Sequence, residues 1–145
     1  MTCQLSLRPA NIADSEILYR WRNDPLTRAQ SHTGDLVKPE EHYIWLDASL
    51  SNPNRRIWIA IEDGNSVGTI RADLNGDGWL LSWSVAPEHR GRHVGHRLLL
   101  ACVALLPRPL RAEIKAGNIA SQKIAEAAGF VLTHTLEDIT CWQLE

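Results

Sequence analysis

The chain has 145 residues, of which 44% are hydrophobic and 22% charged, and its formal net charge is −2. That size and balance describe one soluble domain, residues 1–145, large enough for a real core. The acidic balance argues against a general nucleic-acid binder, and no apolar run reaches the length needed to span a membrane. The opening stretch MTCQLSLRP lacks the apolar centre of a secretion signal. Cys3, Cys102 and Cys141 are odd in number and lack metal-type spacing, so a reducing cytoplasm is the expected compartment. Six tryptophans stand beside a single phenylalanine, Phe130. Most are expected in the core, with some free to line a pocket.

In chain order, Leu5 and Leu7 alternate with polar neighbours, as a first strand does. Asp14 suits the N-cap of a helix carrying Ile17, Leu18 and Trp21. Pro25 disfavours helix at Asp24, so Arg22-Asn23-Asp24-Pro25 ends that helix and a polar loop follows through Gly34. Pro39-Glu40-Glu41 opens a second helix with acid in its first turn, and Asn52-Pro53-Asn54 closes it. Arg56 to Glu62 and Ser66 to Leu74 read as strands around an Asp63-Gly64-Asn65 hairpin turn. Gly76-Asp77-Gly78 separates the second of these from a strand at Trp79 to Val85. A helix over 94–106 stops before Pro107, and Leu110 to Lys115 form a short buried strand. Asn118 opens a helix through Ala128 that Gly129 terminates, and FVLTHTL and ITCWQLE supply two last strands. The expected fold class is α/β (α+β): a mixed, mostly antiparallel sheet of about seven strands flanked by about four helices.

The segment VAPEHRGRHVGHRLL, Val85 to Leu99, carries the strongest signal. A strand feeds a glycine-bearing turn that feeds a helix N-terminus. Free N–H groups and the positive dipole end of such a helix hold anions, and a pyrophosphate is the natural guest. Arg90, Arg92 and Arg97 are expected to add full positive charge.

Arg90-Gly91-Arg92-His93-Val94-Gly95, with Val85-x-Pro87 before it, resembles the coenzyme A loop of the GNAT acetyltransferases, whose pattern is Arg/Gln-x-x-Gly-x-Gly/Ala. His93 stands where the family usually has glycine, and a Cβ at positive φ carries a cost. Asn118-Ile119-Ala120-Ser121 through Ala127-Ala128-Gly129-Phe130 resembles a later segment of that family. Trp21-Arg22-Asn23-Asp24-Pro25, with Glu41-His42-x-x-Trp45, is more loosely similar to acetyltransferases of nucleotide-linked amino sugars in nonulosonic acid synthesis. The ribosomal-protein N-terminal acetyltransferases share the layout.

The resemblance implies acetyl-CoA as co-substrate, no metal, and central strands splayed apart to admit the cofactor. It implies phosphates on the backbone of Arg90, Gly91, Arg92, His93, Val94, Gly95 and His96. It implies a thioester oxygen at the Val85 N–H and a pantetheine arm against Asn118 and Ser121. The usual leaving-group tyrosine is replaced by Ala125, and the fourth strand offers Leu80, Ser82 and Ser84 where relatives have a carboxylate. The expectation is that Ser84 positions a proton-relaying water, that Ser121 or water serves the thiolate, and that Glu62, Asp73 or His32 assist. Trp21, Arg22, Asn23, Asp24, Trp45 and Trp83 are the expected acceptor contacts. The acceptor is a small-molecule amine, with a nucleotide-linked amino sugar favoured, a protein N-terminus second, and a CoA-binding module without turnover as a different class. A homodimer is common in that family, though nothing in the sequence dictates one. No carboxylate or cysteine accompanies His89, His93 and His96 in the right pattern for zinc, and no Walker-type lysine is present.

Overall fold

The computed structural model describes residues 4–145, so Cys3 lies outside the described residues. Seven strands form one sheet: β1 (Leu5–Pro9), β2 (Arg55–Glu62), β3 (Asn65–Asn75), β4 (Gly78–Val85), β5 (Leu110–Lys115), β6 (Val131–Leu136) and β7 (Ile139–Leu144). Their order is β1-β2-β3-β4-β5-β7-β6. All neighbours are antiparallel except β4 and β5. Tight hairpins explain the antiparallel run: Asp63 and Gly64 take φ of 52° and 78°, the paired positive values a two-residue turn needs.

Among the described residues five α-helices flank the sheet: α1 (Ser15–Arg22), α2 (Pro25–Gln30), α3 (Pro39–Leu50), α4 (Val94–Val103) and α5 (Ile119–Ala127). The mixed sheet and flanking helices match expectation, but α2 occupies part of the expected loop. Asp24 and Pro25 terminate α1, as expected, and also start α2. The Asp24 carboxylate accepts from Thr27 N–H, and proline sits at the first helical position. Asp14 does not cap α1 with its side chain. A 3-10 turn, Ile12–Asp14, precedes the helix under an Asn11 cap. The Asp14 carboxylate faces Arg8 (2.7 and 2.8 Å) and the Asn11 N–H.

The two sheet faces have different partners. Trp58, Ala60, Ile70, Ala72 and Leu81 pack with Leu98, Leu99 and Cys102 of α4 and Ala125 of α5. On the opposite face Ile57 and Ile59 pack with Leu18, Trp21 and Leu46 of α1 and α3. Register assigns Thr69, Arg71, Asp73, Leu80, Ser82 and Ser84 to this second face as well. Trp21, Trp58, Trp79 and Trp142 are buried. Trp142 donates to Thr140 Oγ1, which donates to the Ile114 carbonyl, so this polar pair in the core is satisfied. Strand β5 is buried on alternate residues only. Strand β6 forms the sheet edge and is exposed along its length.

Candidate active site

Strands β4 and β5 begin side by side and then part. Their parallel register runs only from Trp79↔Leu110 to Leu81↔Ala112. Ser82 to Val85 therefore border a gap. The hydrogen-bond phase of β4 decides which amides face it. Ala86 N–H donates to the Val67 carbonyl at 2.8 Å, so Ala86 and every second residue before it bond to β3. Val85 falls between these positions, and its N–H points away from β3 into the gap. Among the described residues that amide is a donor without a strand partner.

The chain beyond Val85 makes a 3-10 turn at Pro87–His89 and reverses through two left-handed residues, Gly91 (φ 78°) and His93 (φ 59°). His93 is the residue before α4, at φ 59° and ψ 23°. The expected left-handed demand is thus present, and histidine meets it at a cost of about 1–2 kcal/mol. Among the described residues, the N–H groups of Arg92 to His96 have no backbone partner. They lie at the positive end of α4, where an anion replaces the missing carbonyls.

The expected positive charge is largely neutralised. Arg90 pairs with Asp24 at 2.5 Å and also reaches Thr27. Arg97 pairs with both oxygens of Glu62 (2.9 and 3.1 Å) and donates to the Arg92 carbonyl at 2.8 Å. These guanidinium groups hold the loop in place. Arg92 is exposed, and its side chain has no recorded partner among the described residues. Anion attraction here rests on backbone amides and Arg92.

Gly95 serves helix packing. A Cβ there would lie 2.6 Å from Ile124 Cδ1 and 3.5 Å from Val85 Cγ2, so the missing side chain lets α4 meet α5 and the end of β4. Ser121 lies one turn before Ile124 on the same face of α5. This brings Val85, the start of α4 and Ile124 of α5 together. Asn118 caps α5 by accepting from Ser121 N–H at 3.1 Å, and its amide nitrogen has no recorded partner among the described residues. Ala125 is fully buried in the main core and offers no proton. The Cys102 thiol is also buried, which pushes its pKa up to about 12 and leaves it an unreactive neutral thiol.

The residues expected to contact the acceptor divide. Trp21, 4% exposed, is a core residue, because α1 turns its apolar stripe onto β2. The Asn23 amide both donates to and accepts from the Val37 backbone at 2.8 Å, which fastens the segment before α3. Asp24 is spent on the α2 cap and Arg90, and these partners hold its carboxyl below the ordinary range against the opposing effect of burial. Trp83 packs on the α4 and α5 side, away from the face carrying Ser82 and Ser84. Its indole N–H is buried without a partner among the described residues. Arg22 is half-buried; it donates to the Thr33 carbonyl, while its Nη1 is buried and unpartnered. Trp45 is 36% exposed, with Arg55 and Arg71 each 5.7 Å from its ring centre. Helix α2 is tied across the gap as well, since Lys115 of β5 donates to the Ala29 carbonyl at 3.1 Å.

Of the assisting groups, Glu62 is held by Arg97 and Asp73 by Arg55 and Arg71. Asp73 registers with Leu80, four residues along β4 from Ser84, or about 14 Å. His32 is exposed. Sequence reasoning missed the roles of Arg55 and Arg71. The available signal was arginines alternating into a strand face that also receives a tryptophan. Sequence reasoning named His42 only as part of a loose match and missed its burial: the ring lies between Tyr19 and Trp45, and its Nδ1 has no partner among the described residues. Burial first, and then Arg22, lower its pKa and keep it neutral. Among the described residues no group of three or more His, Cys, Asp or Glu side chains could hold a metal ion. No helix among them is long and apolar enough to cross a membrane.

A seven-stranded mixed sheet that parts at its single parallel pair is a fold with many solved relatives. A domain from Methanocaldococcus jannaschii superposes with a TM-score of 0.86 at 24% identity, covering 99% of each chain. The structure of AAC(6')-Ib in complex with paromomycin and acetyl-CoA gives 0.83 at 19% identity, covering 97% of this chain and 92% of that one. Spermidine N-acetyltransferase from Vibrio cholerae, in complex with CoA and spermine, gives 0.87 at 15% identity, covering 97% and 95%. No curated protein matches the sequence. The profile of the acetyltransferase (GNAT) family matches residues 16–130, and the chain belongs to that family as an acetyl-CoA-dependent acetyltransferase.

Proposed function

We propose that the protein transfers the acetyl group of acetyl-CoA directly to a primary amine of a small metabolite, with a nucleotide-linked amino sugar as the favoured acceptor. The observation that carries this reading is the unpaired Val85 N–H, aimed into the gap beside the row of free loop amides. When bound, acetyl-CoA supplies an activated acetyl thioester. The amides of Arg92 to His96 hold the cofactor's pyrophosphate, and the spare Asn118 amide hydrogens and Ser121 hydroxyl face its pantetheine arm. The Val85 N–H donates to the acyl oxygen, where negative charge develops. The Ser84 hydroxyl positions a water that accepts the ammonium proton, and the Ser121 hydroxyl or water returns a proton to the leaving sulfur. The inert Cys102 supports direct transfer over a thiol relay.

The test is acetyl-CoA turnover with nucleotide-linked amino sugars, polyamines, aminoglycosides and N-terminal peptides, read by free thiol and by mass spectrometry of the acceptor. Acceptor-dependent thiol release with a gain of one acetyl group supports the reading and names the acceptor. CoA binding with no product from any amine favours a binding module, for which the buried Ala125 and the arginine-bound carboxylates are the motivating observations. Unchanged turnover in Ser84→Ala removes the water-relay role.

A further inference from the structure

On the sheet face that carries Ser82 and Ser84, Arg71 registers directly opposite Ser82, two residues and about 7 Å from Ser84. Its Nε is held by Asp73 at 3.1 Å, and the other oxygen of that carboxylate takes Arg55 at 2.6 Å. Asp73 is thereby used up. The two terminal nitrogens of Arg71 make no recorded hydrogen bond among the described residues, and the side chain is 37% exposed. An open fork of two N–H donors matches a phosphate or carboxylate. Burial first, and then the positive fields of Arg55 and Arg22, disfavour charge on Arg71 against the opposing Asp73 carboxylate, and burial and Arg22 do so at His42. The cluster thus holds two guanidinium groups, Arg55 and Arg71, against one carboxylate, with Trp45 as an apolar wall, and Arg22 adds its positive field.

We infer that Arg71, supported by Arg22 and Arg55 against Trp45, receives an oxyanion group of the acceptor, a phosphoryl or carboxylate, and selects anionic amines over polycationic ones. The inference rests on the proposed acetyl transfer at Val85 and names the acceptor class for that site. Spermine and paromomycin, bound in two of the similar structures, carry several ammonium groups, which call for free carboxylates. Here Asp24, Glu62 and Asp73 are each already claimed by an arginine. A polycation brought to this face meets uncompensated positive charge.

The experiment measures binding, so it does not depend on turnover. The protein is saturated with CoA to block the loop, then titrated with a phosphorylated amino sugar, the same amino sugar without phosphate, a carboxylate-bearing amino sugar and spermidine. The phosphorylated sugar is expected to bind roughly tenfold or more tightly than its neutral parent, and spermidine weakest. Arg71→Gln and, separately, Arg22→Gln should abolish that preference while the affinity for CoA is unchanged. Tight binding of the carboxylate-bearing sugar extends the site to any oxyanion, and its failure to bind assigns the site to phosphoryl groups. Equal binding of charged and neutral sugars, or a preference that survives in both folded variants, overturns the inference. Retained selective binding with no acetylation overturns the transferase reading alone.

Discussion

Replacing His93 with glycine should stabilise this protein. His93 holds φ 59° and ψ 23° immediately before α4. Its side chain is exposed and has no recorded partner, so its removal costs little packing. A Cβ in the left-handed region costs about 1–2 kcal/mol. Glycine returns about 0.4–1 kcal/mol of that through a freer unfolded chain. The net gain is about 0.5–1 kcal/mol, a rise in Tm of about 1–4 °C for a domain of this size. The reciprocal change is Gly91→Ala. Gly91 has φ 78° and no atom within 4 Å of an added Cβ, so its penalty is purely conformational. A loss of about 0.5–1 kcal/mol is expected there. Thermal and urea unfolding read both variants, and calorimetry reads CoA affinity, which should hold or tighten in His93→Gly because the loop amides stay in place. A lower Tm for His93→Gly together with a neutral Gly91→Ala would show that left-handed backbone does not shape this loop.

The Arg8 hydrogen bond, aided by the Asn11 N–H and opposed by burial, holds the Asp14 carboxyl below the ordinary range. A carboxyl depressed in the folded state stabilises above its unfolded pKa of about 3.9, and that contribution is lost as pH falls through the folded value. Asp14→Asn should therefore cost about 1–2 kcal/mol at neutral pH and flatten the acid limb of the stability profile; an unchanged acid limb would contradict this. Asn118→Ala should cost about 1 kcal/mol as a lost cap and also raise KM for acetyl-CoA. Asn118→Ser restores the cap alone, so full recovery of KM in that variant would reduce Asn118 to a structural role. Cys102 should resist alkylation in the native protein while the half-exposed Cys141 reacts. Cys102→Ala should retain turnover, and trapping of acetyl on Cys102 would exclude direct transfer.

Much of the site was legible because local signals carried it. Strand, turn and helix-start patterns between Val85 and Leu99 placed a row of unpaired amides, and the His93 departure from glycine flagged a left-handed residue that the backbone does adopt. Asp24-Pro25 shows how a local signal has two readings. The same pair stops one helix and starts the next, and only the geometry of the Thr27 amide shows the second role.

Side-chain partners were not legible. Arg90 and Arg97 read as free cations because sequence does not place Asp24, 66 residues away, or Glu62, 35 residues away, beside them. Gly95 read only as a backbone contact for phosphate, and that its missing side chain also makes room for Ile124 was not visible. Trp21, Asn23 and Asp24 read as acceptor contacts, and packing commits them to core, clamp and cap. The sequence by itself determined the order of the strands and of every α-helix except α2, the alternation that gives the sheet two faces, and the loop that offers its amides, since each depends on neighbours a few residues apart. The parting of β4 from β5, the aim of the Val85 amide and the pairing of Asp24, Glu62 and Asp73 with arginines were decided by the tertiary structure alone. They depend on which distant segments share a face, and a charge is free or spent only once its spatial neighbour is known.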